Sequence, residues 1–97
     1  MRYEWDPAKD ALNRRKHGLC LADGKPAVED PDRYFWIDDR FDYEEERIVT
    51  LGRNPQGILV VISTEPATTE GEEQIIRIIS VRKAVKDEED WYYLGRT

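Results

Sequence analysis

The chain has 97 residues, 39% of them hydrophobic and 37% charged, with a formal net charge of -6. A protein of this size is expected to form one domain, residues 1–97, and its three Trp, five Tyr and two Phe provide large side chains for a core. Net acidity excludes indiscriminate nucleic-acid binding, because such binding depends on neutralising phosphates with Lys and Arg. The acid is concentrated, however: residues 21–46 carry ten acidic and three basic side chains, whereas residues 1–20 carry three acidic and five basic ones. A basic groove can therefore exist outside the acidic segment.

The first predicted elements are a strand, "RYEW" at 2–5, and a helix, "DPAKDALNRRKHG" at 6–18. Asp6 can cap the helix, Pro7 suits its first turn because it has no N–H to leave unpaired, and Gly18 suits the left-handed residue after its end. Three apolar residues share the helix face that we expect to pack inward: Ala8, Ala11 and Leu12.

The next segment, "LCLADGKPAVE" at 19–29, predicts only a short or broken helix because Gly24 and Pro26 interrupt it. "EDPD" at 29–32 is typical of a turn. The aromatic stretch "RYFWI" at 33–37 favours a strand.

The second half of the chain predicts a meander of strands. Its three β-like segments are "RIVTLGR" at 47–53, "GILVVISTE" at 57–65 and "QIIRIISVRK" at 74–83. "NPQG" at 54–57 predicts a hairpin turn, 66–73 a longer loop, and the residues from Lys83 onward a C-terminal helix. The continuous apolar run "ILVVI" favours a strand buried on both faces. The order of elements predicts an α+β fold: a mainly antiparallel sheet of four to five strands with helices packed on one face and a C-terminal helix.

Cysteine content and hydropathy indicate where the protein works. Its single cysteine, Cys20, cannot form an internal disulfide, and no signal-peptide pattern opens the sequence. The run "ILVVI" is the longest apolar stretch, far shorter than the roughly 20 residues of a membrane span. We therefore expect a cytoplasmic protein without a membrane partner.

Several arginines stand on otherwise aliphatic strand faces. Strict alternation places Arg77 with Ile75, Ile79 and Val81, and places Ser80 and Arg82 with Ile76 and Ile78. It also places Arg47 and Arg53 on one face of their strand. Each guanidinium can simply reach water or pair with a carboxylate, or several can converge on a groove that binds phosphate.

His17 has two interpretations as well. It is a helix-terminal cation that complements the helix dipole, or a proton carrier, because imidazole titrates near neutral pH. One His and one Cys make a zinc site a weak hypothesis, and neither a nucleophile elbow nor a phosphate-binding glycine loop is present. Metal-free chemistry with His, Arg and Glu remains, and such a set can cleave RNA through the ribose 2'-hydroxyl. Composition alone does not choose between this reaction and simple anion binding.

Four blocks of the sequence resemble a known family. "YEWDPAKDALNRRKHG", "DDRFDYEEERIVTLGR", "ILVVISTE" and "IIRIISVRKA" occur in this order and are similar to the BrnT toxins. Members of that family open with an E/D-W-D-x-x-K…N…K-H-G helix and carry an E-E-R…G-R strand and an R-I-I-S-A-R-x-A strand. The resemblance extends to about Lys86.

The resemblance implies a RelE-like fold and a ribonuclease, ribosome-dependent or not, that arrests growth without a cofactor or metal. It also implies a BrnA-like antitoxin with a ribbon-helix-helix part, through which alone the complex would contact DNA. The catalytic residues it implies are His17, Glu45, Arg47, Arg77, Ser80 and Arg82. The RNA-binding residues it implies are Lys16, Arg53 and Lys83. We assign proton transfer to His17 or Glu45, charge stabilisation to the arginines among the catalytic residues, and substrate orientation to Ser80.

Three features depart from the family pattern. Ser63 stands where an aromatic residue is common, so a base-stacking platform is expected to be missing there. "DGKP" breaks the second helix, and "DEEDW" replaces a C-terminal segment that is often rich in Arg. The alternative hypothesis is therefore a catalytically weak or inactive module of the same fold that only binds its antitoxin.

Overall fold

A computed structural model describes residues 1–39 and 46–95 of the chain. Within these residues the chain forms a sheet of six strands and three helices, with a 3-10 turn at Leu21–Gly24. The elements are β1 (Arg2–Glu4), α1 (Pro7–His17), α2 (Lys25–Val28), β2 (Tyr34–Ile37), β3 (Arg47–Asn54), β4 (Gly57–Thr64), β5 (Ala67–Thr68), β6 (Gln74–Lys83) and α3 (Lys86–Leu94). The strand order is β1-β6-β4-β3-β2, with β5 also paired to β6. Among the strands of the described residues, only β1 runs parallel to its partner.

The α+β class and the mainly antiparallel sheet are confirmed. The sheet gains one strand over the expected number because β5 forms inside the loop predicted at 66–73. The hairpin at 54–57 is confirmed, with Asn54 paired to Gly57, and so is the broken second helix. No helix within the described ranges is long and apolar enough to cross a membrane.

The sheet separates two apolar clusters. On one face, Leu59 and Val61 of β4 pack against residues of the 3-10 turn and α2, such as Leu21. On the other face, Ile58 and Val60 belong to a cluster that includes Tyr92 of α3. The apolar strand β4 is therefore buried on both faces, as predicted, and α3 covers the face opposite to the N-terminal helices.

Helix α1 has the predicted ends but not the predicted buried face. The Asp6 carboxylate accepts a hydrogen bond from the Ala8 N–H at 2.8 Å, and Gly18 has φ 71° and donates to the Arg14 carbonyl. The residues expected to pack inward are exposed: Ala8, Ala11 and Leu12. The buried residues of the helix are instead Asp10 and Asn13. The expectation was wrong because this helix docks through hydrogen bonds rather than through an apolar stripe.

Strand β6 contains a bulge that changes which side chains share a face. Ile62 pairs with Ser80, but Ser63 pairs with Ile78, so Ile79 has no opposite residue on β4. Val81 therefore packs in the same cluster as Ile78, contrary to the strict alternation we predicted.

The bulge also moves Ser80 and Arg82. Their cross-strand partners are Ile62 and Val60, so both side chains lie on the face that α3 covers. The predicted grouping of Ser80 and Arg82 with Ile76 and Ile78 was wrong for this reason, as was that of Arg77 with Val81.

Strand β3 and the turn of α2 lie so close together at Gly52 that no residue other than glycine fits there. A Cβ atom there would lie 2.2 Å from the carbonyl oxygen of Ala27. We expect Gly52→Ala to lower the free energy of unfolding by about 2–3 kcal/mol, because the backbone of α2 must move. Urea unfolding measures this, with Gly71→Ala in an exposed loop as the control, since its Cβ would meet nothing closer than 3.9 Å. Equal stabilities for the two variants would contradict the close approach.

Candidate active site along the edge of strand β6

Asn13 attaches helix α1 to the edge of the sheet. Its Nδ2 donates to the carbonyl oxygens of Val81 at 2.9 Å and Leu19 at 2.8 Å, and its Oδ1 accepts from the Val81 N–H at 3.0 Å. Because β1 pairs only with residues 75–77 of β6, the Asn13 amide takes the place of a strand partner further along that edge. The side chain is buried, and the last turn of α1 is thereby held beside Ser80.

Asp10 supports the same attachment one turn earlier. Its carboxylate accepts the Leu21 N–H at 2.8 Å and pairs with the Arg14 guanidinium at 2.6 Å. The Leu21 amide and the Arg14 guanidinium together hold the pKa of Asp10 below its ordinary value. Two polar side chains thus fix the position of the helix that carries the sequence's only histidine.

A cavity of about 380 Å³, which we call the main cavity, lies where α1, α3 and the sheet meet. Its floor includes Trp36, Val49, Ile62 and Ser80, which are successive cross-strand neighbours on β2, β3, β4 and β6. His17 enters from the end of α1. The remaining charged residues on its walls are Arg82, Glu88, Asp38 and Asp39. The cavity therefore combines an imidazole, a hydroxyl and a guanidinium with three carboxylates.

The Arg82 guanidinium is held by a carboxylate from α3. Its two terminal nitrogens each donate to one Glu88 oxygen, both at 2.8 Å. Glu88 also accepts the Val85 N–H at 2.9 Å, so the same carboxylate caps the helix. The hydrogen bond from Arg82 holds the pKa of Glu88 below its ordinary value despite partial burial. This fork fixes the orientation of the guanidinium at the cavity wall.

Two further cavities continue from this one along β6. The first, of about 220 Å³, shares His17 and Ser80 with the main cavity and adds Lys9 and Lys16. The second, of about 500 Å³, shares Lys9 with the first and adds Arg77. The Nη2 atom of Arg77 lies 3.4 Å from Oε1 of Glu4. Together they form a groove beside β6, which we call the β6 groove. Its Lys and Arg side chains are Lys9, Lys16 and Arg77, and Arg82 lies in the main cavity at its head.

Helix α3 is fastened by a second polar contact. The Tyr92 hydroxyl donates to the Asp30 carboxylate, which also accepts the Arg53 N–H at 2.9 Å. Burial raises the pKa of Asp30, but the hydrogen bonds from Tyr92 and the backbone outweigh it and leave that pKa below its ordinary value. Burial and the nearby Asp30 carboxylate raise the pKa of Tyr92.

Comparison with known families decides what kind of protein carries this groove. Residues 5–88 match the family described as "Ribonuclease toxin, BrnT, of type II toxin-antitoxin system". The chain belongs to the BrnT family. Membership confirms the resemblance found in the sequence and implies an antitoxin partner, because type II systems pair each toxin with one. Among curated proteins, none matches the chain.

The structure brings together part of the set implied for a BrnT toxin. His17, Ser80 and Arg82 line the main cavity, and Lys16 and Arg77 line its continuation. These five residues come from elements distant in sequence, α1 and β6, which Asn13 joins.

The other implied residues of this BrnT chain lie elsewhere. The Arg53 guanidinium sits 5.7 Å from the centre of the Tyr92 ring, and Lys83 is opposite Leu59 on the face away from α3. Arg47 is half-buried at the start of β3 and does not line the main cavity. Glu45 falls outside the described residues.

Five charged or aromatic residues of the main cavity and the β6 groove were missed from the sequence. Lys9 stands in the "WDPAK" part of the BrnT-like helix, which was a usable signal. Trp36 stood in a predicted strand, but only its pairing shows that it faces the cavity. The acidic residues Asp38 and Asp39 were counted only as part of the acidic segment 21–46, and Glu88 as a loss of positive charge. Its pairing with Arg82 depends on contacts that the sequence does not display.

Acid is expected to destabilise the fold, since the pKa values of Asp10, Asp30 and Glu88 are all lowered in the folded state. A lowered folded pKa gives stability that is present above the ordinary carboxylate pKa of about 4 and lost as pH falls through the folded value. The free energy of unfolding from urea titrations should therefore hold from pH 7 to 5 and fall below pH 4. Glu88→Gln should reduce this dependence. A constant stability down to pH 3 would contradict the assignment.

Proposed function

We propose that this BrnT toxin cleaves RNA in the cavity at the head of the β6 groove. The observation that carries the proposal is the meeting of His17, Ser80 and Arg82 in one cavity, with cationic side chains continuing from it. An imidazole can move a proton and a guanidinium can stabilise charge on phosphorus, so the cavity holds the two kinds of group that the reaction needs.

The proposed reaction uses the substrate's own nucleophile. A base removes the proton of a ribose 2'-hydroxyl, and that oxygen attacks the adjacent phosphorus. The bond from phosphorus to the 5'-oxygen breaks, an acid protonates the leaving oxygen, and the products carry a 2',3'-cyclic phosphate and a 5'-hydroxyl. We assign one proton transfer to His17. The other is assigned to Glu45 only on the resemblance to the BrnT toxins, because Glu45 lies outside the described residues. Because the ribose supplies the nucleophile, the proposed reaction needs no metal-activated water.

Arg82 is the group proposed to stabilise the pentavalent phosphorus. Its fork with Glu88 fixes the guanidinium plane, and about two-fifths of the Arg82 side chain, 38%, remains exposed. A guanidinium that is already fixed and belongs to a partly exposed side chain can meet phosphate oxygens with little further loss of rotational freedom. Ser80 lies two residues before Arg82 on β6 and is proposed to orient the ribose or phosphate.

The β6 groove is proposed to hold the RNA backbone. Lys9, Lys16 and Arg77 lie along it, away from the acidic wall of the main cavity. Since backbone binding draws most of its free energy from such cations, affinity should fall steeply with salt in spite of the net charge of -6.

Induced expression tests the proposed function in cells. We expect growth arrest with RNA decay in the cytoplasm, relieved by His17→Ala or by co-expression of a BrnA-like ribbon-helix-helix antitoxin from a neighbouring gene. The complex is proposed to reach DNA only through that antitoxin. Intact RNA in arrested cells would contradict the proposal.

A second candidate function is a catalytically inactive module that only binds its antitoxin. Both terminal nitrogens of Arg82 already bond to Glu88, which favours this alternative. Harmless expression together with retained antitoxin binding would support it over the nuclease.

A further inference from the structure

Trp36 provides a flat aromatic surface on the floor of the main cavity. The proposed chemistry does not use this surface. The residue lies on β2, lines the cavity and keeps 38% of its surface exposed. An exposed tryptophan in a cavity of this kind is a stacking surface, because its ring offers a large polarisable face.

The indole of Trp36 is held in place from one side. Its ring centre lies 5.2 Å from that of Trp91 with an angle of 6° between the planes, so the two rings stack. Trp91 belongs to α3 and packs with the cluster around Tyr92. A ring fixed in this way loses little freedom when another flat group binds to it.

The position of Trp36 suits the base of a nucleotide adjacent to the phosphate beside His17. Trp36 and Ser80 occupy the two ends of one cross-strand row over four strands. Three strand spacings separate them by roughly 14 Å. That distance is longer than the reach from a base to its own phosphate, so a base on Trp36 belongs to the neighbouring nucleotide.

The charges near Trp36 select the kind of group that can bind there. Asp38 and Asp39 follow β2 and line the cavity beside Trp36. Asp38 is buried, so the exposed Asp39 is the carboxylate placed to meet a ligand. Carboxylates repel phosphate and accept hydrogen bonds from amino groups. Cytosine offers such an amino group on its pairing edge, whereas uracil presents a carbonyl oxygen at the same position.

We propose that Trp36 stacks on a nucleobase that carries an exocyclic amino group, next to the phosphate held by Arg82. The inference rests on the proposed function for the identity of the ligand as RNA, and it adds a base site and a preference to it.

Binding of non-cleavable oligonucleotides tests this inference apart from catalysis. The probes are fluorescently labelled 2'-O-methyl hexamers of cytidine and of uridine, measured by anisotropy with the full chain. We expect the cytidine hexamer to bind more tightly than the uridine hexamer. Trp36→Ala and Trp36→Leu should each weaken cytidine binding about tenfold, because stacking on one base is lost. Trp36→Phe should retain most of the affinity.

Phe35→Ala is the matched control. Phe35 precedes Trp36 on β2, is 60% exposed and does not line the main cavity. We expect this variant to bind as the unchanged protein does, and urea unfolding verifies that each variant is folded.

Three results would overturn the inference: no binding by the unchanged protein, equal losses for Trp36→Leu and Phe35→Ala, or uridine binding as tight as cytidine binding. Binding through Trp36 without RNA cleavage would instead refute the proposed function and leave the base site standing. RNA cleavage that is unchanged by replacement of Trp36, together with unchanged binding, would refute the base site and leave the proposed function standing.

Discussion

Replacing His17 by alanine is expected to lower the rate of RNA cleavage by about 100- to 10,000-fold, the usual contribution of one general acid or base. The reason is geometric: His17 enters the same cavity as Ser80 and Arg82, where a ribose and its phosphate would lie. His17 is exposed at the end of α1, so the variant should fold normally. Single-turnover cleavage of a labelled RNA measures the effect.

Arg15→Ala provides the control for that experiment. Arg15 is an exposed cation in the same last turn of α1, but it lines neither the main cavity nor the β6 groove. Its removal changes the net charge without touching the proposed chemistry, so cleavage should change by less than about threefold, as expected for loss of one distant charge. Equal losses for His17→Ala and Arg15→Ala would show that charge alone, and not proton transfer, explains the effect.

Asn13→Ala is expected to have the largest effect on stability, about 4 kcal/mol. The substitution removes the partners of three backbone groups, the N–H and carbonyl of Val81 and the carbonyl of Leu19. Each buried polar group left without a partner costs about 1–3 kcal/mol. Urea unfolding measures the change, and Arg15→Ala again serves as the control on the exposed side of the helix.

The same variant tests whether Asn13 positions His17. Under conditions where Asn13→Ala is still folded, we expect cleavage to fall. Binding of both hexamers should weaken too, because Lys9 and Lys16 lie on the same helix, while the preference for cytidine over uridine at Trp36 is kept. If Asn13→Ala had wild-type stability, the Asn13 amide would not replace a strand partner. If its cleavage rate were unchanged, Asn13 would not be needed to position His17.

The features predicted correctly are those encoded within a few residues. Asp6 and Gly18 mark the ends of α1, and 54–57 marks the β3–β4 turn, because capping and turn geometry depend on local backbone bonds. The apolar run in β4 likewise predicts burial on both faces without knowledge of its partners.

The features that were missed depend on residues far apart in the chain. Asn13 bonds to Val81, 68 positions away, so its burial in place of Leu12 has no local pattern. The bulge at Ile79 arises from how β6 pairs with β4, and it decides that Ser80 and Arg82 face α3. The pairing of Arg82 with Glu88 likewise requires α3 to fold back over the sheet.

We propose that this BrnT toxin cleaves RNA through the ribose 2'-hydroxyl in the cavity of His17 and Arg82. The most direct measurement uses two versions of one labelled RNA, one unmodified and one with 2'-O-methyl groups throughout, incubated with purified protein and analysed by mass spectrometry. We expect fragments ending in 2',3'-cyclic phosphate from the unmodified RNA only, formed at least about 100-fold more slowly with His17→Ala. Cleavage of the methylated RNA, or fragments with 5'-phosphate ends, would contradict attack by the ribose 2'-hydroxyl.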